Sequence, residues 1–368
     1  MKNFSNFYSG KKVLLTGHTG FKGSWMAEWL LMLGADLTGA SLEAPTQPAL
    51  FDQLALKKRM RHEVIDIRNT NAVSELIQSV QPDIVFHLAA QSLVRDSYNI
   101  PIETFDTNVM GTIHLMDGLR QLDKPCTAVM ITTDKSYENR EWLHSYREED
   151  AMGGYDPYSS SKGCAELAIA AYRRSFFNPE KGNRIALASA RAGNVLGGGD
   201  WAKDRIVPDC IRAISKGETI PVRNKIATRP WQHVLEPLGG YLLLAQKLSA
   251  YNGVALGEEQ ELGRSLPDFA SGFNFGPNLT SNRTVAELVE ELTKTWAGDW
   301  EDCSDPNAVH EASKLNLAFD KAFHLLQWQP KWDFEKTISE VTGWYREVHQ
   351  GADPLGKTRE QILQYTSS

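Results

Sequence analysis

The stretch Thr16-Gly17-His18-Thr19-Gly20-Phe21-Lys22-Gly23 limits what this chain can fold into more than any other part of it. Its glycines are spaced G-x-x-G-x-x-G. They follow an apolar run at 12–16 and open a helical run at 24–33, which Gly34 closes. A strand, a tight glycine turn and a helix in that order make the first unit of a dinucleotide-binding fold. Glycine permits the turn, lets the backbone approach a pyrophosphate and lets the helix pack closely on the strand. The free N–H groups of the helix start then face the phosphates. Glycine is common in any strand–helix turn, so the placement rather than the residue type carries this reading. It nominates Gly17, Thr19, Gly20, Phe21, Lys22 and Gly23 as cofactor contacts.

Such folds place an acidic residue about twenty positions on, at the end of the second strand, to hold the ribose hydroxyls. Glu43 has that distance but lies slightly past the strand expected at 37–41, and is equally placed to be a solvated loop charge. No arginine flanks it, which favours NAD over NADP, with Lys22 and His18 weighing the other way.

The first half continues to alternate short apolar runs with longer amphipathic ones, the pattern of βαβ units around a parallel sheet. Strands are predicted at 12–16, 37–41, 63–67, 83–89, 127–132 and 184–190. Helices are predicted at 24–33, 69–79, 102–122 and 157–176, the last with Asp156 as N-cap and Pro157 in its first turn. After Arg191 the alternation stops. A glycine-rich loop at 193–200, a helix at 207–215, a Pro/Arg-rich segment ending at 229–234 and a helix at 235–248 follow. A polar excursion at 252–271 leads to a short strand at 273–275, and helices at 285–296 and 334–348 finish the chain. The expected fold is α/β: a Rossmann-type doubly wound parallel sheet with a smaller C-terminal substrate-binding lobe. Residues 1–191 form the NAD-binding domain, 230–250 return to it, and 192–229 with 251–368 form the lobe.

Charge and composition narrow the partners. Lys and Arg number 39 against 46 Asp and Glu, a formal charge of −7. That balance argues against a nucleic-acid partner, whose footprint is normally basic, but not against an anionic small molecule held by a few arginines. The four cysteines are scattered with no C-x-x-C, and the nine histidines form no metal-ligand spacing. Reduced thiols and no metal site are expected. No apolar signal segment and no run of 18 apolar residues appears, so no membrane partner is expected and the cytoplasm is the default compartment.

Tyr158 and Lys162 lie four apart on the predicted helix 157–176, hence on one face. A nearby ammonium favours phenolate and should draw the tyrosine down toward working pH, so that Tyr158 can act as a base on a hydroxyl. The same spacing recurs by chance in Tyr8 and Lys12, in the tail entering the first strand. Context separates the two: Tyr158 follows the fifth strand, downstream of the glycine loop.

Together the TGxxGxxG loop and the Tyr-x-x-x-Lys helix resemble the extended short-chain dehydrogenase/reductase family. Asp66-Ile67-Arg68 resembles its adenine contact after the third strand. His87-Leu88-Ala89-Ala90-Gln91 resembles its fourth-strand motif beside the cofactor. Asn108-Val109-Met110-Gly111-Thr112 is similar to its central helix, and Arg191-Ala192-Gly193-Asn194-Val195 to its nicotinamide and substrate loop. Within the family, Thr132-Thr133-Asp134-Lys135-Ser136-Tyr137 is the sharpest clue. Epimerases carry Ser or Thr there without a following acid pair, whereas 4,6-dehydratases carry Thr-Asp-Glu or, in the branch acting on CDP-glucose, Thr-Asp-Lys. The strings GHTGFKGSW, TTDKSYENREW and MGGYDPYSSSKG resemble that branch.

The resemblance implies an NAD-dependent hydro-lyase of deoxysugar biosynthesis for surface polysaccharides of O-antigen type. CDP-D-glucose is oxidised at C4, loses water across C5–C6 and takes the hydride back at C6, so NAD is regenerated and stays tightly bound. Tyr158 takes the 4-hydroxyl proton, Lys162 stabilises the phenolate and grips the nicotinamide ribose, and Thr133 orients the 4-oxygen. Asp134 is the acid at the 6-hydroxyl, which requires burial to raise its pKa. Lys135 stands where relatives carry the glutamate that removes the C5 proton. Whether it is that base, or shares a proton with Asp134, stays open. Leu88, Ala89, Ala90, Asp66 and Ile67 join the cofactor contacts. Gln91, Arg95, Asn194, Arg205, Arg229 and Arg283 fall where relatives bind the nucleotide sugar. His87 and His233 read as packing residues. A homodimer or homotetramer through 102–122 and 157–176 is expected. The rival readings are an NAD-dependent nucleotide-sugar 4-epimerase and a non-catalytic NAD-sensing regulator on the same fold.

Overall fold

Short apolar runs become strands wherever a helix can cover them. The computed structural model describes residues 4, 6–181, 183–252, 265–304 and 314–368. Its first half contains β1 (Lys12–Thr16), β2 (Asp36–Ser41), β3 (Arg61–Val64), β4 (Ile84–His87), β5 (Cys126–Ile131) and β6 (Ile185–Ala192). Then come β7 (Val195–Leu196), β8 (Ile220–Val222), β9 (Thr228–Pro230), β10 (Gln232–His233), β11 (Gly272–Phe275), β12 (Asn282–Thr284) and β13 (Trp300–Asp302). Among the described residues, seven strands form one sheet in the order β11-β6-β5-β4-β1-β2-β3, every neighbouring pair parallel. Parallel strands covered on both faces bury both sets of side chains, and β4, β5 and β6 are buried throughout. Chain order reverses between β1 and β4, and ligands of such sheets sit outside the strand ends at that point. This is the Rossmann-type doubly wound sheet that the sequence predicts.

The longer helices are α1 (Phe21–Met32), α2 (Thr70–Val80), α3 (Gly111–Leu119), α4 (Pro157–Ser175), α5 (Ile206–Lys216), α6 (Leu235–Tyr251), α7 (Val285–Thr295), α8 (Phe334–His349) and α9 (Pro354–Ser367). Their ends follow local chemistry. The Asn69 carboxamide accepts from the Ala72 N–H at 3.1 Å to start α2, and the Asp156 carboxylate accepts from the Ser159 N–H at 2.9 Å to start α4. No described helix is long and apolar enough to cross a membrane.

Five features differ from the expectation. The strand at 273–275, assigned to the substrate lobe, is β11 and extends the main sheet beside β6, because its buried Phe273 and Phe275 need the cover of α6. The third strand runs Arg61–Val64 rather than 63–67, since Asp66 turns back to bond the N–H of Arg68. The helix expected at 102–122 is broken into Pro101–Phe105, a π-helical turn at Asp106–Met110, and α3, with a further short helix at Val94–Asn99 before it. Helix α1 is no amphipathic surface helix: Trp25 and Trp29 are both fully buried. Its cover comes from α9, which the sequence reading omitted by ending the chain at α8. The rings of Trp29 and Tyr365 meet edge to face at 5.8 Å, and Arg359 Nε donates to the buried Glu28 carboxylate at 2.7 Å. Of the polar excursion expected at 252–271, residues 253–264 lie outside the described residues.

Candidate active site

The glycine loop emerges from β1 at the point where strand order reverses. Gly17 has φ +77°, and a Cβ there would lie 2.7 Å from the Ala89 nitrogen and 2.8 Å from the Leu88 carbonyl carbon. A Cβ on Gly23 would collide with the carbonyl oxygen of Gly17, so α1 begins hard against the turn. Gly20 is the N-cap of α1 and supplies no side-chain cap, which leaves the positive end of the helix to a ligand. Thr19 Oγ1 hydrogen-bonds Ser41 Oγ at 2.8 Å and donates to the Leu42 carbonyl at 3.0 Å, fixing the loop to the end of β2. A cradle that any Cβ would fill, under an uncapped helix start, fits a dinucleotide pyrophosphate.

The remaining expected cofactor residues surround it. Leu88, Ala89 and Ala90 lie half-buried past the end of β4, with the Ala89 N–H donating to Thr16 Oγ1 at 3.2 Å. Ile67 is buried beneath Gly111, while Asp66 is tied to Arg68 at 2.6 Å, and that guanidinium holds its carboxyl below the usual range. Phe21 packs beside Gly197. Glu43 is exposed past β2. His18 turns inward against Gly39 and bonds His62 at 2.7 Å, and burial pushes its pKa down to about 4.

The expected catalytic residues converge past the end of β5. Thr133, in extended backbone, caps a short turn at Asp134–Ser136 and donates through Oγ1 to Asp134 Oδ1 at 2.9 Å. The Tyr158 phenol, carried on the first turn of α4, lies close enough to Thr133 and Asp134 for both to act on it. Lys162 lies one turn further along α4, its amine 3.4 Å from the Ile131 carbonyl at the end of β5. Asp134 is 3% exposed and Tyr158 9%. Burial raises the Asp134 carboxyl above its usual range, against the opposing pull of Lys135, Thr133 and Arg229. Lys135 is half-buried beside it. The expected drawing-down of Tyr158 by an ammonium is corrected here. Burial outweighs the opposing influence of Thr133 and pushes the phenol up to about 12, while it pushes Lys162 down to about 8 against the attraction of Glu166. The chance pair Tyr8 and Lys12 is structural: Tyr8 is buried with its hydroxyl on the Leu242 carbonyl at 2.6 Å, and Lys12 is exposed.

The expected substrate residues divide. Arg229 and Arg283 stand directly opposite each other on the antiparallel pair β9–β12. Arg229 is close enough to Asp134 to act on its charge. Arg283 also reaches Glu287 at 3.6 Å. Arg205, before α5, pairs with Asp200 at 2.7 Å and acts on the charge of Tyr158. Arg95 pairs with Asp204 at 3.6 Å, both half-exposed. Asn194 follows β6, and its neighbour Gly193 packs on Asp134: a Cβ there would lie 2.9 Å from Oδ2. The Gln91 carboxamide, expected to meet the substrate, is bonded within its own loop. It accepts from the Leu93 N–H and donates to the Leu93 carbonyl and to Thr104, so a substrate contact would have to break those bonds.

Other contributors were missed. Lys22 does not stop at the glycine loop. Its amine donates to the Tyr241 hydroxyl on α6 at 2.9 Å and feels the charges of Lys162 and Asp134, and burial lowers it to about 7. Asn108, in the π-helical turn, holds both backbone groups of Gln91 and donates to Ser161 on α4. Glu166 continues the Tyr158–Lys162 face and anchors the buried Arg191 at 2.9 Å, so that arginine supports the site from beneath rather than lining the substrate loop. His87 bonds Thr16 and Thr112, and His233 packs edge to face between Trp25 and Trp332, both buried. Two spacings carried signals, Glu166 by its four-residue step and Asn108 by its motif. Tyr241 carried none.

Comparison with known proteins agrees with the geometry. The CDP-glucose 4,6-dehydratase of Salmonella typhimurium is 44% identical over 99% of this chain and 98% of its own length. The CDP-paratose 2-epimerase of Salmonella typhi is 34% identical over 90% of this chain and 98% of its own. The crystal structure of the dTDP-glucose 4,6-dehydratase from Streptomyces venezuelae, solved with NAD bound, shares the fold with a TM-score of 0.73 at 22% identity. It covers 93% of this chain and 99% of that one. The resemblance to the extended short-chain dehydrogenase/reductases holds. A family model described as GDP-mannose 4,6 dehydratase matches residues 14–341, and the chain belongs to that family.

Proposed function

We propose that this chain converts CDP-D-glucose to CDP-4-keto-6-deoxy-D-glucose, a step of deoxysugar biosynthesis. One observation carries the reading: a buried carboxyl, Asp134, lies close enough to the buried phenol Tyr158 to act on its charge in a single cleft. A 4-epimerase needs the phenol but no acid at C6, and a sensor needs neither. The 44% identity over nearly the full chain supports the same substrate.

Bound NAD supplies a hydride acceptor beside C4 and a donor to C6. Everything else falls to side chains. Tyr158 takes the 4-hydroxyl proton, and the Lys162 ammonium beneath it offsets the developing phenolate charge. Burial alone would keep this phenol neutral, and the positive charge that an oxidised nicotinamide would supply when bound opposes that. Thr133 fixes the direction of the 4-oxygen. The new ketone acidifies C5, and Asp134, whose carboxyl burial holds above its usual range, gives its proton to the departing 6-oxygen. Lys135 is the group adjacent to Asp134 that can take the C5 proton. Arg229 and Arg283, opposite each other on β9 and β12, take the diphosphate. Arg205, Arg95 and Asn194 complete the sugar-nucleotide contacts. The glycine cradle, with Asp66 and Ile67 at its far end, holds the cofactor.

We also read the chain as a cytoplasmic homodimer or homotetramer. Ile102 is 86% exposed and Leu167 on α4 is 59% exposed, apolar surface that a second copy would cover. Light scattering tests the assembly. Incubation with CDP-glucose and NAD tests the activity. The 4-keto-6-deoxy product, read by its absorbance in alkali, should form without net NADH. Formation of only the C4 epimer supports the epimerase, and no turnover supports the sensor.

A further inference from the structure

The chemistry of the cleft is divided between two elements. The turn after β5 carries Asp134 and Lys135, and α4 carries Tyr158 and Lys162. One sugar ring has to meet both, so their separation matters as much as the groups themselves. Tyr137 ends the turn, and its N–H closes back on the Asp134 carbonyl at 3.3 Å. The Tyr137 ring is fully buried and stacks on Tyr146 at 5.2 Å, so the turn cannot shift without moving a packed ring.

On the helix side, Glu166 follows Lys162 by one turn on the same buried face. Its carboxylate accepts from the hydroxyls of Thr132 and Ser189. One group joins the two sides. Arg191 on β6 donates through Nη1 to the Tyr137 hydroxyl at 2.6 Å and through Nη2 to Glu166 Oε2 at 2.9 Å. Nη1 also reaches the Glu148 carbonyl at 3.0 Å, and the Tyr137 hydroxyl donates its own proton to Asn274 Oδ1 on β11 at 2.8 Å. Arg191, Tyr137, Glu166 and Asn274 are all buried. Burial would raise the Glu166 carboxyl, but Arg191 and the two hydroxyls together hold it below its usual range, so the pair stays charged at neutral pH.

We propose that Arg191 is a positioning residue for elimination: by gripping Tyr137 and Glu166 with one guanidinium, it registers the turn carrying Asp134 against the helix carrying Tyr158 and Lys162. The planar fork keeps its two nitrogens at a fixed spacing, which a single ammonium cannot do. Oxidation at C4 draws on Tyr158 and Lys162, whose helix keeps its own packing when the grip is loosened. Elimination draws on Asp134 as well, whose place depends on the grip. Loosening it therefore slows the second step and spares the first.

The role rests on the dehydratase reading, so the unaltered protein must first convert CDP-glucose. No product from it defeats that reading, whereas the comparison of variant with parent decides the role of Arg191. Tyr137→Phe keeps the stacked ring and removes the hydroxyl, and Arg191→Lys keeps the charge and removes the fork. Stopped-flow absorbance of NADH on NAD-loaded protein, with quenched product analysis, reads the two steps separately. In both variants NADH should form at a rate within about twofold of the parent, product should form at least about fivefold more slowly, and bound NADH should accumulate. Equal slowing of the two steps makes the contact merely structural and overturns the proposal, as does product formation as fast as in the parent. Should Arg191→Lys fail to fold, Tyr137→Phe decides by the same two readings.

Discussion

Gly193→Ala tests whether the position of the Asp134 carboxyl, rather than its mere presence, sets the rate of elimination. The backbone of Gly193 lies outside the left-handed region, so alanine is tolerated there locally. Its Cβ, however, would stand 2.9 Å from Asp134 Oδ2, where ordinary contact begins at 3.4 Å. The carboxyl must therefore move by about half an ångström, and it is held on its other oxygen by Thr133 at 2.9 Å. Displacements on the order of 1 Å cost about a hundredfold in rate, so a tenfold loss in turnover is the scale to expect, equivalent to about 1.4 kcal/mol of barrier. The loss should be selective. Asp134 acts after C4 has been oxidised, so oxidation should proceed while elimination lags, and enzyme-bound NADH should accumulate. Stopped-flow absorbance at the NADH band, with quenched product analysis, measures both. Turnover within twofold of the parent would refute the geometric reasoning, and an equal slowing of NADH formation would show that the methyl acts on the whole cleft.

Tyr158→Phe removes the base for the first step, and both NADH formation and product should fall by about 10²–10⁴-fold in single-turnover assays. Arg283→Gln should raise the KM for CDP-glucose by about 10–100-fold with kcat nearly unchanged, as expected for loss of a charged hydrogen bond made equally in ground and transition states. Glu236 is fully buried on α6, and burial raises its pKa from 4.5 to about 7. A raised carboxyl contributes its full stability below about pH 4.5 and loses it as pH climbs through about 7, a change of about 3 kcal/mol. Urea unfolding should show that decline, and Glu236→Gln should flatten it.

What the sequence revealed depended on the range of the interaction. The glycine loop was legible because a turn, a phosphate approach and a helix start are all local demands. Tyr158, Lys162 and the Asp156 cap were legible because helix periodicity fixes who shares a face. The meeting of Lys22 with Tyr241 was not legible, since the two are 219 positions apart and Tyr241 is part of no pattern. The edge strand β11 read as part of the lobe because four residues cannot announce which sheet they join. The π-helical turn around Asn108 was hidden inside an unbroken helical period. Burial, not the neighbouring ammonium, sets the Tyr158 phenol, and burial is a property of the assembled site rather than of a four-residue spacing.

Helix α9 lies against α1, whose first turn closes the nucleotide cradle, through a contact 331 residues apart in the chain. A growing polypeptide halted before residue 354 would leave the Glu28 carboxylate without Arg359, and Trp29 bare on its outer side. The cofactor half of this molecule, although encoded first, is therefore among the last parts to mature during synthesis. Trimming a handful of residues around Tyr365 should loosen nucleotide retention at a site those residues never touch.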